Sequence, residues 1–368
     1  MNRIFIGCLV FSLFALIACE DDTKDRRTVN RPSLQKSQPP IRIKTDKKGI
    51  ILYGDTVSLQ ISSIDTSLSI SEIQLSCTDN PAFEMFSKDL KIDLPTAQLG
   101  GGEQRVKVDV KFTDGQKTTR YKELKILSRT APRKWQFEVI RKYPHDPTSF
   151  TQGFLVHEGF IYEGTGNYGE TKIRKLDLTS GKILKEKELE QDIFGEGITV
   201  LNDKIYQLTY KSSRGFVYDL NTFEREGDFI YNTYTSEGWG LTSNDSSLIA
   251  SDGSAYIFFL NPEDMSEIRR IKVFNDRGEI NNINELEYKG GIIYANIYTT
   301  AVIVGIDAET GRVVDEYVAS GIVAPNEATS DMDVLNGIAF NPLNGNFLLT
   351  GKYWSKIYEA RPIPRKTS

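Results

Sequence analysis

The sequence predicts an all-β protein in which an immunoglobulin-like β-sandwich precedes a five-bladed β-propeller. The first observation is an apolar strand that recurs with a polar residue and usually a Gly at its start. The steps between successive starts are 44, 43, 45 and 52 residues, taken at Gly153, Gly197, Gly240, Glu285 and Gly337. A repeat of roughly 40–50 residues with four short strands is typical of a propeller blade.

The second observation is an acidic or amide residue at a later turn of each repeat. Its steps are 42, 42 and 46 residues, at Asp177, Asp219, Asn261 and Asp307. Two separate sets of positions with nearly the same spacing indicate a true repeat. The third observation is alternation of apolar and polar residues between 41 and 128, as in 57–61 and 106–112. About seven short strands separated by Gly-containing turns predict the sandwich.

The chain begins with a predicted lipoprotein signal peptide, residues 1–18. The apolar run from Ile4 to Ile17 is shorter than the about 20 residues that a spanning helix needs. Ala18 precedes Cys19 in a pattern that resembles a bacterial lipobox, so we expect Cys19 to be lipidated. This places the protein in the cell envelope, lipid-anchored at the outer membrane with a periplasmic or surface face.

Four further segments follow from composition and patterning. Residues 19–40 are charged, polar and Pro-containing, which predicts a disordered tether. The sandwich occupies 41–128, a linker 129–134 and the propeller 135–368. The last repeat lacks one strand and ends in a Pro-rich tail, so we expect the strand at 135–140 to join it and close the ring. Cys77, in an alternating strand, is predicted to be a buried small apolar residue.

Charge and histidine content exclude several functions. The formal net charge is −5 at pH 7 with both signs interspersed, which disfavours nucleic-acid binding. The chain has two histidines, His145 and His157, and they are not at ligand spacing. A His-based zinc site or a Ser-His-Asp triad is therefore poorly supported. No residue pattern implies a cofactor or a metal, and a monomer is expected.

The starts of the repeats carry larger side chains than a structural repeat requires. Because first strands line a propeller channel, these side chains should converge at one mouth. Aromatic groups beside one acid and several amides resemble a small-ligand pocket. The residues are Phe150, Gln152, Phe194, Glu196, Trp239, Asn284 and Asn336.

Several motifs over about residues 140–360 resemble one family. They are Thr148-Ser149-Phe150-Thr151-Gln152-Gly153, Phe194-Gly195-Glu196-Gly197, Glu237-Gly238-Trp239-Gly240, Ile283-Asn284-Glu285-Leu286, Leu335-Asn336-Gly337 and Gly351-Lys352-Tyr353-Trp354. This stretch is similar to the plant and bacterial type of glutaminyl-peptide cyclotransferase. The resemblance implies a five-bladed propeller that converts the N-terminal glutamine of peptides or proteins to pyroglutamate, releasing ammonia without zinc.

The resemblance also implies roles for individual residues. Glu196 would carry protons between the substrate amine and the leaving nitrogen. Lys352 and Asn284 would stabilise the oxyanion, and Gln152 would hold the substrate amide or amine. Asn336 is predicted to bind substrate from its place in the repeat. The pocket walls would be Phe150, Phe194, Tyr210, Trp239 and Tyr298.

Two departures from the family pattern affect the predicted walls and the loop after Lys352. The family commonly has Trp at the positions of Tyr210 and Tyr298, and a Pro often follows the Trp that corresponds to Trp354. A Tyr keeps the aromatic face but adds a hydroxyl that needs a partner. Glu163, in a family-like motif, is interpreted as structural.

Two alternatives remain open from the sequence. One is a non-enzymatic surface propeller that binds peptide or glycan. The other is a lactonase-like propeller with a cation held by Glu196, Asn284 and Asn336, although Lys352 suits an oxyanion better than a neighbouring cation.

Overall fold

The fold was obtained from a computed structural model that describes residues 40–47 and 49–365. The predicted signal peptide, Cys19 and residues 19–39 of the predicted tether lie outside the described residues. In the described ranges, none of the helices has the length and apolar character needed to cross a bilayer.

The N-terminal unit consists of two sheets and one short helix. Its strands alternate between buried and exposed residues, and one apolar core between the sheets contains Leu59, Leu75, Leu94 and Val108. The sheets have the orders β1-β3-β6 and β2-β8-β7-β4-β5. The elements are β1 (Ile41–Thr45), β2 (Ile51–Leu52), β3 (Thr56–Ser63), β4 (Ile70–Cys77), β5 (Glu84–Ser87), β6 (Lys91–Pro95), α1 (Thr96–Leu99), β7 (Gly102–Phe112) and β8 (Lys117–Leu127).

Cys77 lies at the end of β4 and is buried, as predicted. Its thiol lies 3.2 Å from Gln104 Oε1, and burial raises the pKa of the thiol. A buried thiol with a raised pKa is a poor nucleophile.

The C-terminal part begins with β9 (Arg133–Pro144) and continues as antiparallel sheets in chain order. Their strands are β10 (Thr151–His157), β11 (Phe160–Thr165), β12 (Lys172–Leu176), β13 (Ile183–Glu188); β14 (Gly195–Leu201), β15 (Lys204–Thr209), β16 (Arg214–Asp219), β17 (Arg225–Ile230); β18 (Leu241–Ser243), β19 (Leu248–Ser251), β20 (Tyr256–Leu260), β21 (Glu267–Lys272); β22 (Ile283–Lys289), β23 (Ile292–Ile297), β24 (Val302–Asp307), β25 (Val313–Val318); and β26 (Leu335–Phe340), β27 (Phe347–Gly351), β28 (Lys356–Pro364).

The first strands of these sheets pack against one another in a closed cycle. β10 contacts β14, β14 contacts β18, β18 contacts β22, β22 contacts β26, and β26 returns to β10. The starts of all first strands therefore lie together at one end of a central axis.

The predicted closing strand pairs with the last sheet, as expected: β9 runs antiparallel to β28 from Trp135 to Pro144. Two boundaries differ from the prediction. The strand starts at Arg133, inside the predicted linker 129–134, and pairs there in parallel with β25. The predicted Pro-rich tail continues β28 to Pro364. Residues 361–364 pair with β9 alone, so Pro362 and Pro364 occupy an edge where a missing N–H is tolerated.

The N-terminal unit is fixed against the β18–β21 sheet rather than tethered loosely. The Phe274 ring lies 5.5 Å from the Tyr53 ring, and Lys272 pairs with Asp79 at 3.4 Å. Lys272 also donates to the backbone oxygen of Glu103 at 2.6 Å. Apolar packing combined with a bridging cation holds the two parts in one orientation.

Glycines at the starts of the first strands allow the close approach of neighbouring strands. A Cβ on Gly240 would lie 2.0 Å from the backbone oxygen of Asn284, whereas a Cβ on Gly227 in β17 would meet nothing within 4 Å. We therefore expect Gly240→Ala to lower the free energy of unfolding by about 1–3 kcal/mol or more. The matched Gly227→Ala should stay within about 0.5 kcal/mol of the parent. Urea denaturation of both variants checks this, and equal stabilities would contradict the packing argument.

Candidate active site

Bulges at the starts of the first strands aim the predicted site residues. Pairing shifts register between Thr151 and Gly153, between Gly195 and Ile198, between Ile283 and Leu286, and between Leu335 and Ile338. Each irregularity contains one predicted residue, in order Gln152, Glu196, Asn284 and Asn336. A bulge re-aims a side chain that regular pleating would direct elsewhere.

One cavity at this mouth collects nine of the ten predicted catalytic and substrate-binding residues. Its volume is about 160 Å³. The space suits a single side chain with its own amino group. The lining residues are Phe150, Gln152, Phe194, Glu196, Tyr210, Trp239, Asn284, Tyr298 and Lys352.

Glu196 is the acid of this pocket and is 4% exposed. Its Oε1 accepts a hydrogen bond from Gln152 Nε2 at 3.0 Å. Burial raises the pKa of Glu196 well above the usual value; the charge of Lys352 opposes this shift and the charge of Glu237 adds to it. A carboxylate with a raised pKa is a better proton acceptor near neutral pH.

Lys352 supplies a buried amine opposite this acid. Its Nζ lies 4.2 Å from the centre of the Phe150 ring and 5.2 Å from that of Tyr298. Burial lowers the pKa of Lys352, while Glu196 and Asp333 oppose that shift. Among the described residues its ammonium has no hydrogen-bond or ion-pair partner, so its donors are free for a ligand.

Asn284 is the pocket's uncommitted amide. The residue is 3% exposed, and within the described part of the chain its Oδ1 has no hydrogen-bond partner. A buried polar atom without a partner costs stability and calls for an explanation, such as a ligand that completes it.

Aromatic rings form the remaining walls. Phe150 and Phe194 meet edge to face at 6.0 Å, and Trp239 and Tyr298 do so at 5.4 Å. Tyr210 lies 5.5 Å from Phe194. Tyr210 and Tyr298, which stand where the family commonly has Trp, are only partly buried.

Asn336 is the predicted substrate-binding residue that the structure does not place in the cavity wall. It is fully buried behind Gln152, and its Nδ2 lies 3.0 Å from Gln152 Oε1. This position also disfavours the lactonase-like alternative, because its three proposed ligands do not converge in the pocket. In the described ranges no group of three or more His, Cys, Asp or Glu side chains is arranged to hold a metal ion.

Glu163 also lies outside the pocket wall and is enclosed by hydrogen bonds. It accepts from Thr151 Oγ1 at 2.7 Å and lies 3.0 Å from His145 Nε2. His145 Nδ1 in turn lies 2.6 Å from the backbone oxygen of Trp354. This buried network links the start of β10 to the loop that follows Lys352, which agrees with a structural role for Glu163.

A polar residue on the second strand of each sheet forms another repeat, which the sequence did not predict, and two of its members hydrogen-bond the backbone of a bulge. Ser251 Oγ donates to the Asn284 backbone oxygen at 2.7 Å, and Asn296 Oδ1 accepts from the Gly337 N–H at 3.1 Å. These residues repeat at steps of 44, 44, 45 and 54, which was a usable signal. The repeat consists of Gln207, Ser251, Asn296, Thr350 and Glu163, of which Glu163 alone was singled out above, as a structural residue.

Glu237 was also missed, because its role depends on contacts across the rim of the pocket. Its Oε2 accepts from Trp239 Nε1 at 2.9 Å, and its Oε1 lies 3.7 Å from Lys211 Nζ. It therefore orients one wall and adds a negative charge near Glu196.

Comparison with known proteins gives matches over this part of the chain. Residues 112–361 match the family model described as glutamine cyclotransferase. The chain is 32% identical over 230 residues to the glutaminyl-peptide cyclotransferase of Arabidopsis thaliana, covering 61% of this chain and 71% of that protein. The crystal structure of Myxococcus xanthus glutaminyl cyclase superposes with a TM-score of 0.59 at 33% identity, covering 64% of this chain and 100% of that one.

Proposed function

The chain belongs to the glutamine cyclotransferase family, and we propose that it carries out the family's reaction without a metal, with Glu196 moving the protons. It is a glutaminyl-peptide cyclotransferase, which converts an N-terminal glutamine to pyroglutamate. This membership favours an enzyme over the alternative of a non-enzymatic propeller that binds peptide or glycan. The observation that carries the mechanism is that a buried acid, Glu196, and a buried amine, Lys352, line the same small cavity.

We also propose a specific architecture for the two parts of the described chain. Residues 133–365 form one five-bladed propeller, and the closed cycle of five first strands supports that description. Residues 41–128 form an immunoglobulin-like sandwich, supported by two sheets that share one apolar core.

Substrate binding follows from the shape and polarity of the cavity. The glutamine side chain enters between Phe194, Trp239 and Tyr298, and the rest of the peptide leaves through the mouth. Confinement folds the side chain back toward its own α-amine. Holding the two reacting groups at contact distance removes much of the entropic part of the barrier.

Glu196 carries out both proton transfers of the reaction. A new bond forms between the α-nitrogen and the side-chain amide carbon, and the bond from that carbon to the amide nitrogen breaks. Glu196 takes a proton from the attacking amine and gives it to the departing nitrogen, which leaves as ammonia. The raised pKa of Glu196 brings it closer to that of a free N-terminal amine, about 7.7–8.0, which eases the transfer.

Lys352 and Asn284 act on the oxygen of the same amide. Negative charge develops on that oxygen when the tetrahedral intermediate forms. The ammonium of Lys352 and the Nδ2 donor of Asn284 stabilise this charge, and their fixed positions avoid reorganisation during the reaction. Asn284 Oδ1, an acceptor without a partner among the described residues, is left to accept from an N–H of the substrate. Gln152 is held by Glu196 and orients the substrate beside it.

The direct test is ammonia release from a short peptide beginning with Gln, with and without chelator. We expect turnover well above the spontaneous rate and unchanged by the chelator, and none from the same peptide acetylated at its amine. Absence of turnover from folded protein would overturn the enzyme assignment. Loss of turnover on chelation, with recovery on adding metal back, would overturn the metal-independent mechanism alone.

We further propose where the enzyme is located and in which oligomeric state it acts. The apolar run from Ile4 to Ile17, followed by Ala18 and Cys19, supports a lipid anchor in the cell envelope, and it lies outside the residues that the structure describes. The enzyme acts there as a monomer on peptides or proteins that present an N-terminal glutamine.

A further inference from the structure

We propose that Asn336 is a positioning residue that fixes the direction of a hydrogen-bond chain from the Thr151 carbonyl through Gln152 to Glu196. The inference rests on the proposed function, because it concerns the group that moves the protons there. Asn336 does not line the cavity and touches the reaction only through Gln152.

The direction of the chain follows from one group that cannot be reversed. A backbone carbonyl only accepts hydrogen bonds. Asn336 lies 2.9 Å from the Thr151 backbone oxygen, so the atom that it presents there must be its amino nitrogen. The same nitrogen lies 3.0 Å from the Gln152 side chain, which must therefore present its oxygen to Asn336. The amino group of Gln152 is left to face Glu196 Oε1, at 3.0 Å.

This direction has a chemical consequence for Glu196. A donor directed at a carboxyl oxygen favours the charged form of that group. Gln152 thus supplies Glu196 with a permanent donor on Oε1 and leaves Oε2 for the substrate. With the Gln152 amide reversed, two oxygens would face each other and Glu196 would have to stay protonated.

The position of Asn336 is unfavourable for the stability of the fold in one respect. Asn336 Oδ1 is buried and has no hydrogen-bond partner among the described residues. A residue needed only to fill space at this point would be better apolar, because burying an unpaired polar atom is unfavourable. The retained amide is explained by the two bonds that its nitrogen makes.

The other charged groups facing Glu196 come from neighbouring loops and remain in place when Asn336 changes. Lys352 lowers the pKa of Glu196 and Glu237 raises it. The Tyr231 hydroxyl is also nearby, but it donates to the Thr209 backbone oxygen at 2.6 Å. A change at Asn336 therefore reaches Glu196 through Gln152.

The experiment compares two variants by the pH profile of kcat/KM on the Gln-initial peptide. Asn336→Asp keeps the size of the side chain, and Asn336→Leu keeps its branched shape but is larger. The buried aspartic acid has one proton, which it donates to the Thr151 backbone oxygen in place of the asparagine amino group. Toward Gln152 it can then only accept, so Gln152 must turn its amino group to it. The acid limb of this profile is the pH range in which kcat/KM falls as Glu196 becomes protonated. In Asn336→Asp we expect this limb to move up by about one pH unit, so that kcat/KM below it is about ten-fold lower than in the wild type. The leucine frees Gln152 without reversing it and should give a smaller upward shift. In a Gln152→Ala background neither change should move the limb further.

Thermal unfolding of each variant establishes that it is folded. A folded Asn336→Asp variant with an unmoved acid limb would overturn the inference, as would equal shifts in both variants. If the aspartate variant does not fold, the leucine variant decides, and an unmoved limb there overturns the inference as well. Wild-type turnover in the same assay is the separate test of the proposed function.

Discussion

Replacing Glu196 by glutamine is expected to lower kcat by about 10³-fold with a small change in KM, because the reaction loses the group that carries out both proton transfers. Glutamine has nearly the same shape and still accepts the hydrogen bond from Gln152 that Glu196 Oε1 accepts at 3.0 Å. Substrate binding, which depends on the aromatic walls, should persist. Steady-state ammonia release at several peptide concentrations separates kcat from KM.

Stability provides the control for this variant. The substitution removes a buried ionisable group whose pKa burial raises, so the thermal midpoint should be unchanged or higher. A second carboxyl variant, Glu237→Gln, keeps an acceptor for Trp239 Nε1 and should retain kcat at high pH. Comparable losses of kcat in both variants would show that acidity at the pocket mouth in general, rather than Glu196, supports the reaction.

Much of the pocket could be predicted from the sequence because a repeat places equivalent residues at equivalent positions. Once Gly153, Gly197 and Gly337 were aligned, Gln152, Glu196 and Asn336 had to start neighbouring first strands. The same periodicity led to the one misplaced residue. It gives the position of Asn336 in the repeat but not the depth of the bulge, which sets the amide behind Gln152 instead of beside it.

What the sequence did not predict depends on contacts between distant segments. Pairing of β9 with β25 joins residues about 180 apart, and Glu237 influences Glu196 across the rim. Neither follows from a local period. The strand at 361–364 was not predicted because its prolines suggested that the strand ended before them. Proline is tolerated at a strand edge where no backbone N–H has to donate to a neighbouring strand.

Lys352→Met is expected to lower kcat by about 10²–10³-fold, the usual cost of removing a donor that stabilises a developing oxyanion. Methionine preserves the length and the apolar stem that packs on Phe150, where Nζ now lies 4.2 Å from the ring centre. The change therefore removes the charge and its donors while leaving most of the packing.

The direction in which the pH profile shifts distinguishes the loss of the Lys352 charge from a packing defect. The charge of Lys352 lowers the pKa of Glu196, so its removal raises that pKa and moves the acid limb of kcat/KM to higher pH. The charge of Glu237 has the opposite effect, so Glu237→Gln should move the same limb to lower pH. Burial lowers the pKa of Lys352, so the wild-type profile should also fall at alkaline pH as that amine loses its proton. The alkaline limb should vanish in Lys352→Met.

Lys211→Met is the matched control, because Lys211 is a lysine on the rim with its side chain 60% exposed. Its charge is screened by solvent, so the rate and both limbs should stay close to those of the parent. A Lys352→Met variant that loses activity with an unmoved acid limb would mean that Lys352 shapes the pocket without acting on Glu196. The acid limb would instead move in opposite directions in Lys352→Met and Glu237→Gln and stay unmoved in Lys211→Met if our mechanism holds. That result would mean that the charges of Lys352 and Glu237 together set the pH range in which Glu196, and therefore the enzyme, is active.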